Sequence, residues 1–210
     1  MDGVSLEMVS NQKDLGVVVN NKLKFDGQCI AASKTANKIL GFISRSFEYK
    51  SKDIVLPLYK SLVRPHLEYA IQFWSLYYRK DIDMLERVQR RATKLIPNIR
   101  NLSYEDRLKR LGLYTLKTRR LRGDLIEVFK ILNGFDLVST NLFTLAPQSV
   151  TRTNGFKLEG KRFKTDIAKN FFSNRVINEW NALPWDVVKS ESVNMFKNRL
   201  DRYFRQRDII

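Results

Sequence analysis

Two pairs of neighbouring carboxylates, Asp81 with Asp83 and Glu105 with Asp106, one histidine, His66, and one cysteine, Cys29, are the residues from which this sequence could build a reactive centre. Nucleotidyl transfer and phosphate hydrolysis need at least two carboxylates that share metal ions about 4 Å apart. Both acid pairs fall in the first turn of an expected helix, where negative charge offsets the helix dipole. Two helical steps also turn Asp81 and Asp83 about 160° away from one another. Helix capping is the better reading of both pairs. His66 sits in Arg64-Pro65-His66-Leu67-Glu68. A general base needs a partner to activate, and Cys29 is too far along the chain to be given that role. A structural histidine beside a proline kink fits better. A single cysteine forms no intramolecular disulfide and no multi-cysteine zinc site, and no glycine-rich phosphate loop of the usual spacing is present. The expectation is a chain with no catalytic residue, no metal and no cofactor.

What the sequence has in excess is positive charge. Thirty-eight Lys and Arg stand against 22 Asp and Glu in 210 residues, a net charge of +16. Residues 1–50, 51–100, 101–150 and 151–210 are each positive, so the charge runs through folded-looking sequence and is not held in a tail. Such a balance draws polyanions, and the plainer reading is a protein with a merely basic surface. An apolar content of 43% argues against wholesale disorder, and the length suits one large domain or two small ones. One cysteine suits a reducing compartment, so an intracellular location in cytoplasm, nucleus or both is expected. The start, MDGVSLEMVS, lacks the apolar stretch of a secretory signal, and the uncharged aromatic run Tyr69 to Tyr78 is too short to cross a bilayer. No membrane partner is expected.

The elements that must carry this charge are mainly helical. Residues 4–19 read as a β-hairpin, with Val4, Leu6 and Met8 before the turn-like Asn11-Gln12-Lys13 and Leu15, Val17, Val18 and Val19 after it. Asp26 can cap a helix to about Phe47 with Ile30, Ile39, Leu40, Phe42 and Ile43 among its apolar residues. Ser51 can cap the next, which Pro65 breaks or kinks before it resumes through Trp74. Ser103 and Asp106 have capping-box spacing ahead of a short helix stopped by Gly112. A longer helix should run from about Thr115 to Leu132, burying Leu121, Leu125, Val128, Phe129 and Leu132. Phe156, Leu158 and Phe163 suggest a short β element. Helix then reads through Trp180, and Pro184 interrupts it. A last helix from near Ser190 places Val193, Phe196, Leu200 and Phe204 inward. The expected layout is mainly α: a hairpin over 1–25, a helical bundle over 26–99, a basic helical extension over 100–134, a linker or loop over 135–155 and a helical region over 156–210. The main domain boundary is expected near 134–155.

From Lys80 to Ile96 the apolar residues Ile82, Leu85, Val88, Ala92, Leu95 and Ile96 share one arc at 100° per residue, while Arg87, Arg90, Arg91 and Lys94 share the opposite one. Residues 107–122 hold Arg107, Lys109, Arg110, Lys117, Arg119, Arg120 and Arg122 without an acid. Arginines on one helix face can reach phosphates, and Tyr77, Tyr78, Tyr104 and Tyr114 lie near enough to stack on bases. The candidate contacts are therefore Arg87, Arg90, Arg91, Lys94, Arg119, Arg120 and Arg122, with core or rim packing the alternative for each tyrosine.

Several strings go beyond composition. KDLGVVV (13–19), LPLYKSLVRPHLEYAIQFW (56–74), LERVQRRATKLI (85–96), LSYEDRLKRLGL (102–113), RRLRGDLIEVFKILNG (119–134) and RVINEWNALPWDVV (175–188) occur in order. Together they resemble the carboxy-terminal part of reverse transcriptases of non-LTR retrotransposons, especially the jockey and chicken-repeat groups. The resemblance implies that residues 4–19, with Leu15, Gly16 and Val17, correspond to the primer-grip-like hairpin after the catalytic palm. It implies that about 26–96 correspond to the thumb that holds template and primer. Residues 100–210 would be the family's carboxy-terminal extension. The family's palm carries two aspartates after an aromatic and a variable residue, a motif this sequence lacks. Implied partners are RNA, DNA or their hybrid, held through the phosphate backbone, and the palm and fingers of a parent polymerase. Two other readings stand beside it: an inert truncated transposon relic, with Val17 and Val19 left exposed, and a domesticated protein-interaction module. In a primer-extension assay with template and divalent metal, the chain should give no product; extended primer would contradict the absence of a catalytic centre.

Overall fold

The first described residues already depart from the sequence pattern, because the hairpin turns later than its polar residues suggest. In a computed structural model that describes residues 9–74, 76–136, 142–147, 155–160 and 162–207, β1 (Asn11–Asp14) pairs antiparallel with β2 (Val17–Asn20), Asp14 lying opposite Val17. Leu15 and Gly16 make the turn with φ of 43° and 83°. A two-residue hairpin whose central residues both have positive φ matches the twist of its strands, and Gly16 supplies one of the two without strain. Asn11-Gln12-Lys13 is therefore strand, fully solvated, not turn. Val4, Leu6 and Met8 lie outside the described residues. The turn is sealed by Tyr69, whose hydroxyl donates to the Leu15 carbonyl at 2.9 Å and whose ring faces Gly16.

Among the described residues the structure is mainly helical, and its contacts form two units, residues to 70 with 76–98, and residues 71–75 with 99–210. In the first unit, α1 (Asp26–Ser46) buries Cys29, Ala32, Ser33, Ala36, Leu40 and Ile43 along one narrow stripe. Asp26 is its first residue rather than its cap; Phe25 holds the cap position without a side-chain bond. Ile30 and Phe42 are exposed, because both lie more than about 100° from the stripe's centre. Gln28 Oε1 accepts from the Val18 N–H at 2.9 Å, which ties β2 to α1. Val17 is buried and Val19 half-buried, so these two valines are not the exposed pair that a relic would show.

The next rod changes pitch. α2 (Lys52–Leu58) passes into a π-helical turn over Tyr59–Val63 and then into α3 (Arg64–Glu68). Pro65 has no N–H to return to the preceding turn, and the widened turn stands directly before it. Ser51 occupies the cap position without a side-chain bond. The helix does not resume through Trp74: Tyr69 is extended and Ala70 has a φ of 52°. Within the π turn, the buried Tyr59 hydroxyl donates to Gln89 Oε1 of α4 (Arg79–Lys94) at 2.6 Å. The small residues of the α1 stripe let α1 pack along α4.

In the second unit, Ser103 caps α5 (Tyr104–Leu111) by accepting from the Asp106 N–H at 3.1 Å, and Gly112 ends it at a φ of 61°. Thr115 caps α6 (Leu116–Leu132) in the same way. Four short helices follow, α7 (Asp166–Lys169), α8 (Phe172–Arg175), α9 (Ile177–Asn181) and α10 (Trp185–Val188), and then α11 (Val193–Gln206), capped by Ser192. The short β element is an antiparallel bridge between Leu145 and Leu158. Asn181 clasps it, accepting from the Leu158 N–H and donating to the Leu158 carbonyl.

One core joins residues on both sides of 135–155. Leu125, Val128 and Phe129 of α6 pack with Trp180, Phe196, Leu200 and Phe204, and the rings of Phe129 and Phe196 stack at 4.4 Å. The division expected near 134–155 thus falls inside the second unit, and contacts divide at 98/99 instead. The reason is the apolar face of α6, which α11 covers.

Arg175 locks this unit. Its guanidinium makes two bonds of 2.9 Å to the Asp124 carboxylate and also donates to the carbonyls of Ile71, Gln72 and Asn170. Burial raises the Asp124 carboxyl above the ordinary carboxylate range, and the charges and hydrogen bonds of Arg175, then Arg120, oppose that rise. Replacing Arg175 by Ala strands a buried carboxylate and should cost about 3–5 kcal/mol in denaturant unfolding, more than the Asp124→Ala/Arg175→Ala double variant loses per residue removed. A loss under about 1 kcal/mol would show the pair to be dispensable.

Asp81, 3% exposed, has a carboxylate oxygen with no partner among the described residues. Burial raises its carboxyl above the ordinary range; Lys80 opposes the rise and Asp26 adds to it. The folded state therefore holds this proton more tightly than the unfolded one, and Asp81 weakens the fold as pH climbs through the raised value. Asp81→Asn should melt above the parent protein at neutral pH, with the gap closing as pH falls to about 4. A melting difference that does not change with pH would contradict this.

Candidate nucleic-acid interface

On α4 every cation is exposed, and two of the three acids are buried. Leu85, Val88, Gln89 and Ala92 face inward, and the acids Asp81 and Glu86 are buried with them. Arg87, Arg90, Arg91 and Lys94 are all exposed. These four lie within about 100° of arc and about 10 Å of axis, roughly the length of three phosphate steps along one strand of a duplex. The one exposed acid of the helix, Asp83, stands a turn earlier, where Arg79 pairs with it at 3.5 Å and the Arg87 Nε donates to its carbonyl at 3.3 Å. The stripe proper contains no carboxylate. Long, charged, solvent-exposed side chains suit phosphate oxygens, which need charge and reach more than a fixed angle.

At the amino end of the same helix, Tyr77 and Tyr78 hold their rings 4.2 Å apart, tilted by 38°, and the Lys80 ammonium lies 5.7 Å over Tyr78. Tyr78 is exposed. Of the four tyrosines considered for stacking, this pair shares a unit with the stripe. Tyr104 is buried under the Arg107 guanidinium, and Tyr114 is half-buried with its ring edge-on to Phe204, so both serve packing in the second unit.

The dense cationic stretch from 107 to 122 is divided between interior and surface. Arg107 is 3% exposed and donates to the Leu102 carbonyl at 2.7 Å. Arg120 lies 5.1 Å over the buried ring of Trp74, Arg122 makes a two-pronged pair with Asp201 at 2.6 and 2.9 Å, and Arg119 is half-buried. Lys109, Arg110 and Lys117 face solvent. Arg119, Arg120 and Arg122, the residues singled out on this stretch, are thus less open to a polyanion than the lysines and the arginine beside them. Asp201 stands 79 positions from Arg122, so no local pattern announces their pair.

In the hairpin, Leu15 and Gly16 form an exposed tip and Val17 points inward. Of the two carboxylate pairs only Glu105 and Asp106 lie together in a first turn, that of α5, where Asp106 joins the Ser103 cap. On α4 the cap position is Tyr78 without a side-chain bond, Asp81 is buried in the first turn and Asp83 lies beyond it, exposed, because the helix starts at Arg79, so capping does not account for that pair. His66 is exposed on α3 and Cys29 is buried in α1. Among the described residues no group of three or more His, Cys, Asp or Glu is placed to hold a metal ion, and no helix is long and apolar enough to cross a membrane. Nothing local marks Arg175 and Asp124 as partners, because 51 positions separate them; an acid inside a basic helix is the one hint the sequence carries.

Comparison of the chain with protein-family models, with curated proteins and with solved structures finds no match.

Proposed function

We propose that this chain is a non-catalytic nucleic-acid-binding piece of a retrotransposon reverse transcriptase, its first unit corresponding to the thumb and its second to the carboxy-terminal extension. The observation that carries the binding reading is the carboxylate-free stripe of Arg87, Arg90, Arg91 and Lys94 on the exposed face of α4. The kinship rests on the ordered strings of the sequence. A grip that must slide along template and primer needs phosphate contacts without base readout, and four flexible cations on a rigid helix supply that. The resemblance makes Leu15, Gly16 and Val17 the counterpart of a primer grip, of which Leu15 and Gly16 are exposed and Val17 is buried.

A second reading has its own observation. Leu15, Ile30, Phe42 and Tyr49 of the first unit are exposed, which suits a protein-interaction module. Association with protein that survives nuclease treatment would favour that reading.

The test is fluorescence anisotropy with an RNA/DNA hybrid. Changing Arg87, Arg90, Arg91 and Lys94 together to Ala should weaken binding at least tenfold, about 1.4 kcal/mol or more. The melting temperature should stay put, because the four side chains are solvated. Unchanged affinity would reject the stripe as the site.

A further inference from the structure

We propose that the second unit carries a separate site for a nucleoside monophosphate group, in the cavity beside α7 and α9. The cavity encloses about 520 Å³, within the range of about 300–1,000 Å³ usual for small-molecule sites. The proposal deepens the nucleic-acid reading, and its biological role rests on that reading, but its chemistry is independent of α4.

The lining supplies the three kinds of contact that a nucleotide needs. Phe163 and the buried Ile177 give an apolar wall with an aromatic ring, suited to the face of a base. Lys164 and Lys169 stand exposed at the cavity, and among the described residues neither is ion-paired, so both can meet a phosphate. The one acid of the lining, Asp166, leaves the balance positive. Amides complete the set. Asn170 and Asn174 spend their NH2 groups on the carbonyls of Asp166 and Ala168, at 2.8 and 2.7 Å, which leaves the Asn170 amide oxygen as an acceptor, while the Asn174 oxygen also accepts from the Ser173 hydroxyl at 3.5 Å and keeps one lone pair. Asn178 is exposed at the cavity with donors and acceptor both at hand. A side-chain amide pairs naturally with the donor and acceptor edge of a base.

Arg175 also lines the cavity, but its charge is balanced by Asp124 and its N–H groups are occupied, so it acts as a rigid floor and not as an anion ligand. That rigidity matters, because Arg175 and Asn170 are bonded to each other at 3.3 Å and hold α7 and α8 as one wall. A bare anion would use the lysines and leave the ring and the amides idle. An acidic peptide has no flat face for Phe163. The combination selects a phosphate joined to a base, either a free nucleotide or the end of a strand.

The test titrates the isotope-labelled full chain with AMP, UMP, inorganic phosphate and hexaglutamate, followed by amide chemical shifts. Mononucleotides should give saturable shifts over residues 163–178 with a dissociation constant of about 1 mM or tighter, and Lys164→Ala/Lys169→Ala should weaken them at least fivefold. Asn178→Ala should alter the preference between AMP and UMP. Absence of saturable shifts would overturn the proposal, as would phosphate or hexaglutamate binding as tightly as AMP. The variant lacking Arg87, Arg90, Arg91 and Lys94 should bind AMP unchanged, so failure of the α4 stripe and failure of this site are told apart. In the variant lacking Arg87, Arg90, Arg91 and Lys94, with shifts read over residues 163–178, a 5′-phosphorylated hexanucleotide that binds more tightly than AMP identifies a strand end as the occupant, and equal or weaker affinity identifies the free nucleotide; either result upholds the site.

Discussion

The buried carboxylate of Asp124 sets the terms for the second unit. It sits on α6 between Leu125 and the rest of an apolar face, where an isolated charge could not be tolerated, and it is accepted because Arg175 reaches it with two hydrogen bonds. The same guanidinium satisfies the carbonyls of Ile71 and Gln72, in a stretch that leaves regular structure. One side chain thus ties α6, α8 and the 71–72 segment together beside the core that α6 shares with α11. Apolar packing is the dominant favourable term in such a unit, and the ion pair lets a charge sit inside it with its hydrogen bonds satisfied.

Charge sorting of this kind explains where the cations of a +16 chain end up. Arg107, Arg120, Arg122 and Arg175 have each found a carbonyl, a ring or a carboxylate. Planar guanidinium groups suit such partners, and their stems add apolar cover. Exposed cations lie on helix faces turned away from the core, and α4 carries four of them without a carboxylate among them. The densest cationic run of the sequence is accordingly not the most open one. Local charge density measures how many cations are near in sequence; what a polyanion meets is the fraction that the fold has not used.

Much of the helical layout was legible because its signals are local. Ser103 with Asp106, Thr115, Gly112 and the spacing of Val193, Phe196, Leu200 and Phe204 each act within a turn or two, and the helices begin, end and face as those residues dictate. The stripe on α4 was legible for the same reason. What could not be read was set by distance. The hairpin turns at Leu15-Gly16, and the Tyr69 hydroxyl that seals this turn comes from 54 positions away. The extent of the third helix depends on Tyr69 and Ala70 leaving helical geometry. The region after 135 is not a separate domain, because Phe196 and Leu200 complete a core begun by Leu125 and Phe129. Polar composition marks where a chain is solvated, and it says little about whether the core continues beyond.

The central claim is that α4 holds nucleic acid through its phosphates and not through its bases, and the dependence of affinity on salt tests it most directly. With four cations engaged, the logarithm of the binding constant for a hybrid duplex should fall against the logarithm of salt concentration with a slope of about −4, equally for unrelated base sequences. A slope near zero, or one that appears only with a single base sequence, would contradict it.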